Sequence, residues 1–354
     1  MSDIIRPEIH ALNAYHVADP GEMIKLDAME NPYPMPEALK DEWLSLLREA
    51  EINRYPDPSA QALSKILIEY MEVPENNSIV LGNGSDELIQ MMAMAVAQPG
   101  RKIMAPEPGF VMYRMIAKFA AMEYLGVPLQ DDFSLDMPAM LKAIKEHQPT
   151  LIFLAYPNNP TGNLFAEEDI VEILKASDGL VVVDEAYHPF ACTSFMSRLG
   201  EFDNLLVMRT VSKMGLAGLR LGLLAGPAKW ISEFDKVRLP YNINILTQVT
   251  ADFALRHSDV FEAQATLIRG QRDWLFSELQ SFTQFQVFPS RANFILLRVL
   301  DGDATLIFEC LKEQGVLIKN MHPAGGVLSQ CLRITVSTAE ENQALISALD
   351  ECVK

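Results

Sequence analysis

From Ile79 onward the chain alternates short runs that are apolar on both faces with segments of helical periodicity. The runs are Ile79-Val80-Leu81, Lys102-Ile103-Met104, Leu151-Ile152-Phe153-Leu154, Leu180-Val181-Val182-Val183 and Leu205-Leu206-Val207-Met208. Each is followed by a loop of polar or glycine residues. This alternation predicts a mostly parallel α/β sheet covered on both faces. The first fifty-odd residues differ: Pro7, Pro20, Pro32, Pro34 and Pro36 punctuate them, which suits an extended arm better than a packed element. After about Arg256 the pattern shifts again. Residues 293–299 and 331–337 read as strands of a second, smaller sheet, and Thr338-Ala339-Glu340-Glu341 reads as a capping box opening the last helix. The expected organisation is an N-terminal arm with part of a small domain over 1–45, a large domain over 46–255 and a small C-terminal domain over 256–354.

Length supports two domains, because a single core has usually stopped growing at 354 residues. With 49% hydrophobic and 21% charged residues the composition is ordinary for a globular protein and excludes disorder. Lys and Arg number 29 against 47 Asp and Glu, a net charge of −18, and that field repels nucleic acid. Cys192, Cys310, Cys331 and Cys352 are scattered without CxxC spacing, so they are expected as reduced thiols with neither a disulfide nor a metal site. The start lacks the order of a signal peptide, and no uncharged apolar stretch approaches the ~20 residues of a membrane span. The expectation is a soluble, cytoplasmic protein with no membrane partner.

The working groups of an open α/β sheet sit beyond the carboxyl ends of its strands. After the first run come Gly82-Asn83-Gly84-Ser85-Asp86-Glu87 and a helical pattern with Leu88, Ile89, Met92 and Val96 on one face. This is either a plain strand–helix turn or an anion site at a helix start. Asn158-Asn159-Pro160-Thr161-Gly162, after the third run, makes a good turn. Asp184 ends a buried strand, where a carboxylate needs a positive partner that its neighbours do not supply. Lys213 follows Ser212 and precedes an apolar, glycine-rich stretch reaching Arg220. A lysine desolvated there drifts toward the neutral amine, the nucleophile that forms Schiff bases.

The collinear set Gly84-Ser85-Asp86, Asn159-Pro160-Thr161-Gly162, Asp184-Glu185-Ala186-Tyr187, Ser212-Lys213 and Arg220 resembles the class I/II aminotransferases of pyridoxal-phosphate fold type I, from about Lys25 to the C-terminus. The resemblance implies a large domain with a mostly parallel seven-stranded sheet sandwiched by helices, and a smaller α+β domain built from both chain ends. It implies pyridoxal 5′-phosphate as cofactor, held covalently by Lys213, which then shuttles the substrate proton. Asp184 would bind the pyridinium N–H, and Asn159 and Tyr187 the phenolic oxygen. Gly84, Ser85, Asp86, Ser212 and Arg220 would surround the phosphate. Phe110 stands where the family has an aromatic stacked on the ring.

The flanking residues are most similar to the histidinol-phosphate aminotransferase subfamily: Tyr15, Leu26-Asp27-Ala28-Met29-Glu30-Asn31-Pro32, Arg54-Tyr55-Pro56-Asp57-Pro58, and Gly315 to Asn320 ahead of Arg333. That similarity implies a homodimer with a shared site, in which Tyr55 reaches the neighbouring cofactor phosphate. Tyr15, Asn31, Lys319 and Arg333 would meet a small phosphorylated amine and a keto acid. Lys319 departs from the arginine that many members carry, giving a point charge in place of a planar fork. Against the acidic whole, Arg333, Lys319 and Arg220 must make a local positive pocket. An aromatic or broad-specificity aminotransferase and a threonine-phosphate decarboxylase share these motifs and stay open as alternatives.

Overall fold

The computed structural model describes residues 4–14 and 18–354. In chain order the strands are β1 (Ile24–Lys25), β2 (Asn77–Gly82), β3 (Lys102–Glu107), β4 (Glu123–Pro128), β5 (Leu151–Ala155), β6 (Leu180–Asp184), β7 (Leu205–Thr210) and β8 (Gly222–Pro227), then β9 (Phe285–Val287), β10 (Phe294–Val299), β11 (Val316–Leu317), β12 (Lys319–Asn320) and β13 (Cys331–Thr335). A seven-stranded sheet runs β2-β8-β7-β6-β5-β3-β4, and only β8 is antiparallel to its neighbours.

The both-faces-apolar runs have a direct structural reading. On β5, Ile152 and Leu154 enter one core and Leu151 and Phe153 the other; on β6, Val181 and Val183 part from Val182 in the same way. Successive strand residues point to opposite faces, so a strand with helices on both sides needs apolar residues at every position. A third core lies between β10, β13 and the helices Ser258–Gln280 and Ala339–Cys352, with Phe294, Leu297, Leu332, Leu275 and Leu345 buried in it. The four-stranded sheet of this region is antiparallel, in the order β12-β13-β10-β9. Near the opposite end of the chain, β1 pairs in parallel with β11, which ties the N-terminal segment to the C-terminal region. Thr338 caps the last helix by accepting from the Glu341 N–H.

Two expectations are corrected. The proline-punctuated opening is not extended throughout, because Glu37–Arg48 is a helix. Pro36 sits just ahead of it in an extended conformation, so this proline opens the helix instead of continuing the arm. Cys310 and Cys352 form a disulfide with Cα atoms 5.8 Å apart. They stand 42 residues apart, on two helices that pack together, and no local spacing motif announces such a pair. Cys192 and Cys331 are free thiols. Among the described residues no helix is long and apolar enough to cross a membrane, and no cluster of His, Cys, Asp and Glu could hold a metal.

Candidate active site

Strand register brings the separate motifs together. Ala155 of β5 is paired with Asp184 of β6, and Asp184 with Met208 of β7, so the turns carrying Asn159, Asp184 and Ser212–Lys213 leave one edge of the sheet side by side. On the far side, Gly82 of β2 pairs with Gly222 of β8. That pairing sets Arg220 against the start of the helix Gly84–Val96. The approach is too close for side chains: a Cβ on Gly84, whose φ is +78°, would lie 2.6 Å from the Arg220 guanidinium, and one on Gly222 would lie 2.9 Å from the Gly84 carbonyl carbon.

A cavity of about 120 Å³ opens between these turns, lined among others by Ser85, Asp86, Asp184, Ser212, Lys213 and Arg220. Tyr187, Asn159 and Phe110 also face it. Asp184 is buried, taking the Tyr113 hydroxyl at 2.7 Å on Oδ2 and the Ala186 N–H at 3.1 Å on Oδ1. Burial pushes its carboxyl up to about 6, against the pull of those two donors. Burial likewise draws the Lys213 amine down to about 8, helped by the Arg333 and Arg220 charges. The Lys213 Nζ stands 3.4 Å from the Ala28 carbonyl and 5.7 Å from the centre of the Tyr187 ring.

A second cavity, of about 790 Å³, shares Met29, Phe110 and Asn159 with the first. Lys319 and Arg333 both line it. These two residues are directly paired across β12 and β13, so their side chains leave the same face as neighbours. Arg333 is buried; one guanidinium nitrogen donates to Asn159 Oδ1 at 2.6 Å and another to the Asp27 carbonyl at 3.0 Å. Asn159 passes the contact on, donating to the Tyr187 hydroxyl at 3.1 Å.

The family profile "Aminotransferase class I and II" matches residues 21–349. The chain belongs to the class I and II aminotransferases. It is 56% identical over 345 residues to histidinol-phosphate aminotransferase 2 of Nitrosococcus oceani, covering 98% of this chain and 96% of that one. With histidinol-phosphate aminotransferase 2 of Cupriavidus pinatubonensis it shares 53% over 350 residues, covering 98% and 95%. The solved structure of histidinol-phosphate aminotransferase from Sinorhizobium meliloti, in complex with pyridoxal-5′-phosphate, covers 100% of this chain and 98% of its own at 24% identity, with a TM-score of 0.87. That likeness establishes the shared fold.

The aminotransferase cofactor is pyridoxal 5′-phosphate, and the smaller cavity fits it at both ends. At one end the helix Gly84–Val96 starts without a side-chain cap, leaving first-turn N–H groups to an anion beside Ser212 and Arg220. At the other, the buried Asp184 carboxylate has only neutral donors in the hydrogen bonds above, and a protonated ring nitrogen answers it.

Two of the expected side chains stand outside both linings. Tyr15 lies outside the described residues. Asn31 lines neither cavity: its amide donates to the Met214 carbonyl and to Gln264, each at 3.0 Å, and it accepts from the Tyr33 N–H at 2.8 Å. It ties the N-terminal segment to the turn after Lys213. Tyr55 is 80% exposed and stacks on Tyr241 with ring centres 4.4 Å apart, outside both cavity linings.

Three contributors escaped the sequence reading. One is Tyr113, in the helix Val111–Phe119 that Phe110 immediately precedes, the apolar periodicity of that helix being the one signal available. Another is Thr210, whose hydroxyl accepts from the Ser212 N–H at 3.1 Å and fixes the turn into Lys213. The last is a buried ion pair behind the site, with Arg209 Nε donating to Glu185 at 2.9 Å.

Proposed function

We propose that this aminotransferase moves the amino group of L-histidinol phosphate to 2-oxoglutarate, giving imidazole-acetol phosphate and L-glutamate in histidine biosynthesis. The observation that carries the reading is the Lys319–Arg333 pair. Two cations placed directly opposite on one sheet face repel each other, and a bound phosphate or carboxylate relieves that repulsion. The roughly 790 Å³ beyond them leaves room for a ring as well as an anion. The full-length relatives carrying this substrate in their names support the same choice.

Each residue then has a task. Ser85, Ser212 and Arg220, with the backbone N–H groups from Gly84 to Asp86, would hold the cofactor phosphate. Phe110 would pack on the ring, Asn159 and Tyr187 would hold its phenolic oxygen, and Asp184 would hold its nitrogen. The bound cofactor supplies a protonated ring that takes up the electron pair left when the substrate Cα loses its proton. Lys213 Nζ, a buried amine drawn down to about 8, would hold the cofactor and serve as the base that takes the proton from the substrate Cα. Arg333 grips the substrate anion through a planar fork and Lys319 adds a point charge.

Arg333→Gln tests this assignment. Loss of one charge-assisted contact predicts a KM for the phosphorylated donor roughly 10- to 100-fold higher, with kcat less affected. An unchanged KM would move the anion elsewhere.

The proposed working form is a cytoplasmic homodimer. The exposed Tyr55–Tyr241 stack has Leu239 and Leu246 exposed nearby in sequence, which suits a surface that a second copy covers, with Tyr55 reaching the neighbour's cofactor phosphate. A solution mass near twice 39.6 kDa is the check.

A further inference from the structure

We propose that Tyr113 is a positioning residue for the cofactor: its hydroxyl keeps the Asp184 carboxylate anionic and turned into the cavity, while its ring braces Phe110. The inference rests on the role assigned above to Asp184. Tyr113 sits in the helix Val111–Phe119 and is 1% exposed, so its hydroxyl has no access to bulk water. The ring is clamped by stacking on Phe153 at 4.7 Å, and it meets Phe110 edge-on at 5.5 Å. One buried side chain therefore touches both a wall of the cavity and the group at its floor.

The hydroxyl matters because Asp184 sits among opposing influences. Asp86, from the helix Gly84–Val96, and Glu185, from its own turn, both push its carboxyl toward protonation, as burial does. Lys213 and Arg220 are the cations lining the same cavity, and Tyr187 closes the same side. Of the two hydrogen bonds that favour the charged form, one comes from the Ala186 backbone, which no side-chain change short of proline removes. The other is the Tyr113 hydroxyl, at 2.7 Å. A less basic carboxylate leaves the shared proton on the ring nitrogen, and a more basic one takes it away. Tyr113 thus tilts the sharing toward the ring without touching the ring.

Tyr113→Phe keeps the stack on Phe153 and removes only the donor. The readouts are the cofactor dissociation constant as a function of pH and the resonance of cofactor labelled with nitrogen-15 in the ring. The sign follows from the carboxylate: without the donor it protonates at higher pH, so the acidic limb where cofactor is lost moves up. A shift of roughly one pH unit is expected, the worth of one hydrogen bond to a charged group. The ring resonance should move toward the unprotonated form. Fluorotyrosine placed at 113, a stronger donor, should move the limb down, and it tests the idea even if the phenylalanine variant folds poorly.

A purely structural role predicts weaker binding by the same factor at every pH, with limb and resonance unmoved, and that result overturns the proposal. Asp184→Asn separates the layers. If it weakens cofactor binding while Tyr113→Phe leaves the limb in place, the Tyr113 inference alone fails. If Asp184→Asn changes nothing, the assignment of Asp184 fails and takes the inference with it.

Discussion

Lys213→Ala should lower kcat/KM for transamination by about 10⁴-fold, the upper end of what one positioned proton carrier contributes. The loss has two parts. The variant has no amine to hold the cofactor, and it has no base above the substrate Cα. Lys213→Arg should not rescue it, since a guanidinium stays charged and cannot accept the proton. The buried amine adds a pH signature in the cofactor-free protein. Because its proton is lost near 8 instead of at the ordinary lysine value of 10.5, the rate of cofactor loading should climb between pH 7 and 9 and then level. Rapid mixing followed by absorbance measures it. Full activity in the alanine variant, or a loading rate flat across that range, would remove Lys213 from the centre of the site.

The second large effect is on stability. Arg209→Leu should cost about 3–5 kcal/mol, because it strands the Glu185 carboxylate, which is 0% exposed, without its cation. Glu185 would retain Ser194 Oγ at 2.9 Å and the Phe195 N–H at 2.5 Å, neutral donors that only part-compensate a buried charge. Arg209 also donates to the Met71 carbonyl at 3.1 Å, so the substitution loosens the sheet from the helix Gln61–Tyr70 as well. The pairing of Glu185→Gln with Arg209→Met should recover much of the loss, since removing both charges leaves no stranded ion. Thermal melts of the single and the double variant check this. Equal loss in the single and the double variant would mean that packing, not charge, is what Arg209 supplies.

The two predictions rest on residues that were not equally legible in the sequence. Lys213 and Asp184 could be read because polar groups at the ends of strongly apolar runs are conspicuous, and the runs themselves follow from strands buried on both faces. β4 and β8 were hidden for the opposite reason. Only Val127 is buried in β4, an edge strand, and Gly222 and Gly226 interrupt the apolar pattern of β8 while letting it approach Gly84 and Leu206. Arg209 lies inside an apolar strand, where a charged residue looks like an interruption until Glu185 is seen beside it. Tyr113 gave no sign of its bond to Asp184, since an aromatic on an amphipathic helix fits core and cavity wall equally. The Cys310–Cys352 bridge depends on a tertiary contact that local pattern does not encode, whereas the helix Glu37–Arg48, made of strong helix formers behind Pro36, was masked only by the prolines ahead of it.

The most direct test of the whole account mixes the cofactor-loaded protein with L-histidinol phosphate, with no keto acid present, and follows the visible cofactor band. The account predicts that the band disappears and that 2-oxoglutarate restores it, with glutamate formed in equal amount. A band indifferent to this donor would contradict the proposed substrate while leaving Lys213 and the fold untouched. Release of carbon dioxide from threonine phosphate, in place of amino transfer, would turn the same site into a decarboxylase.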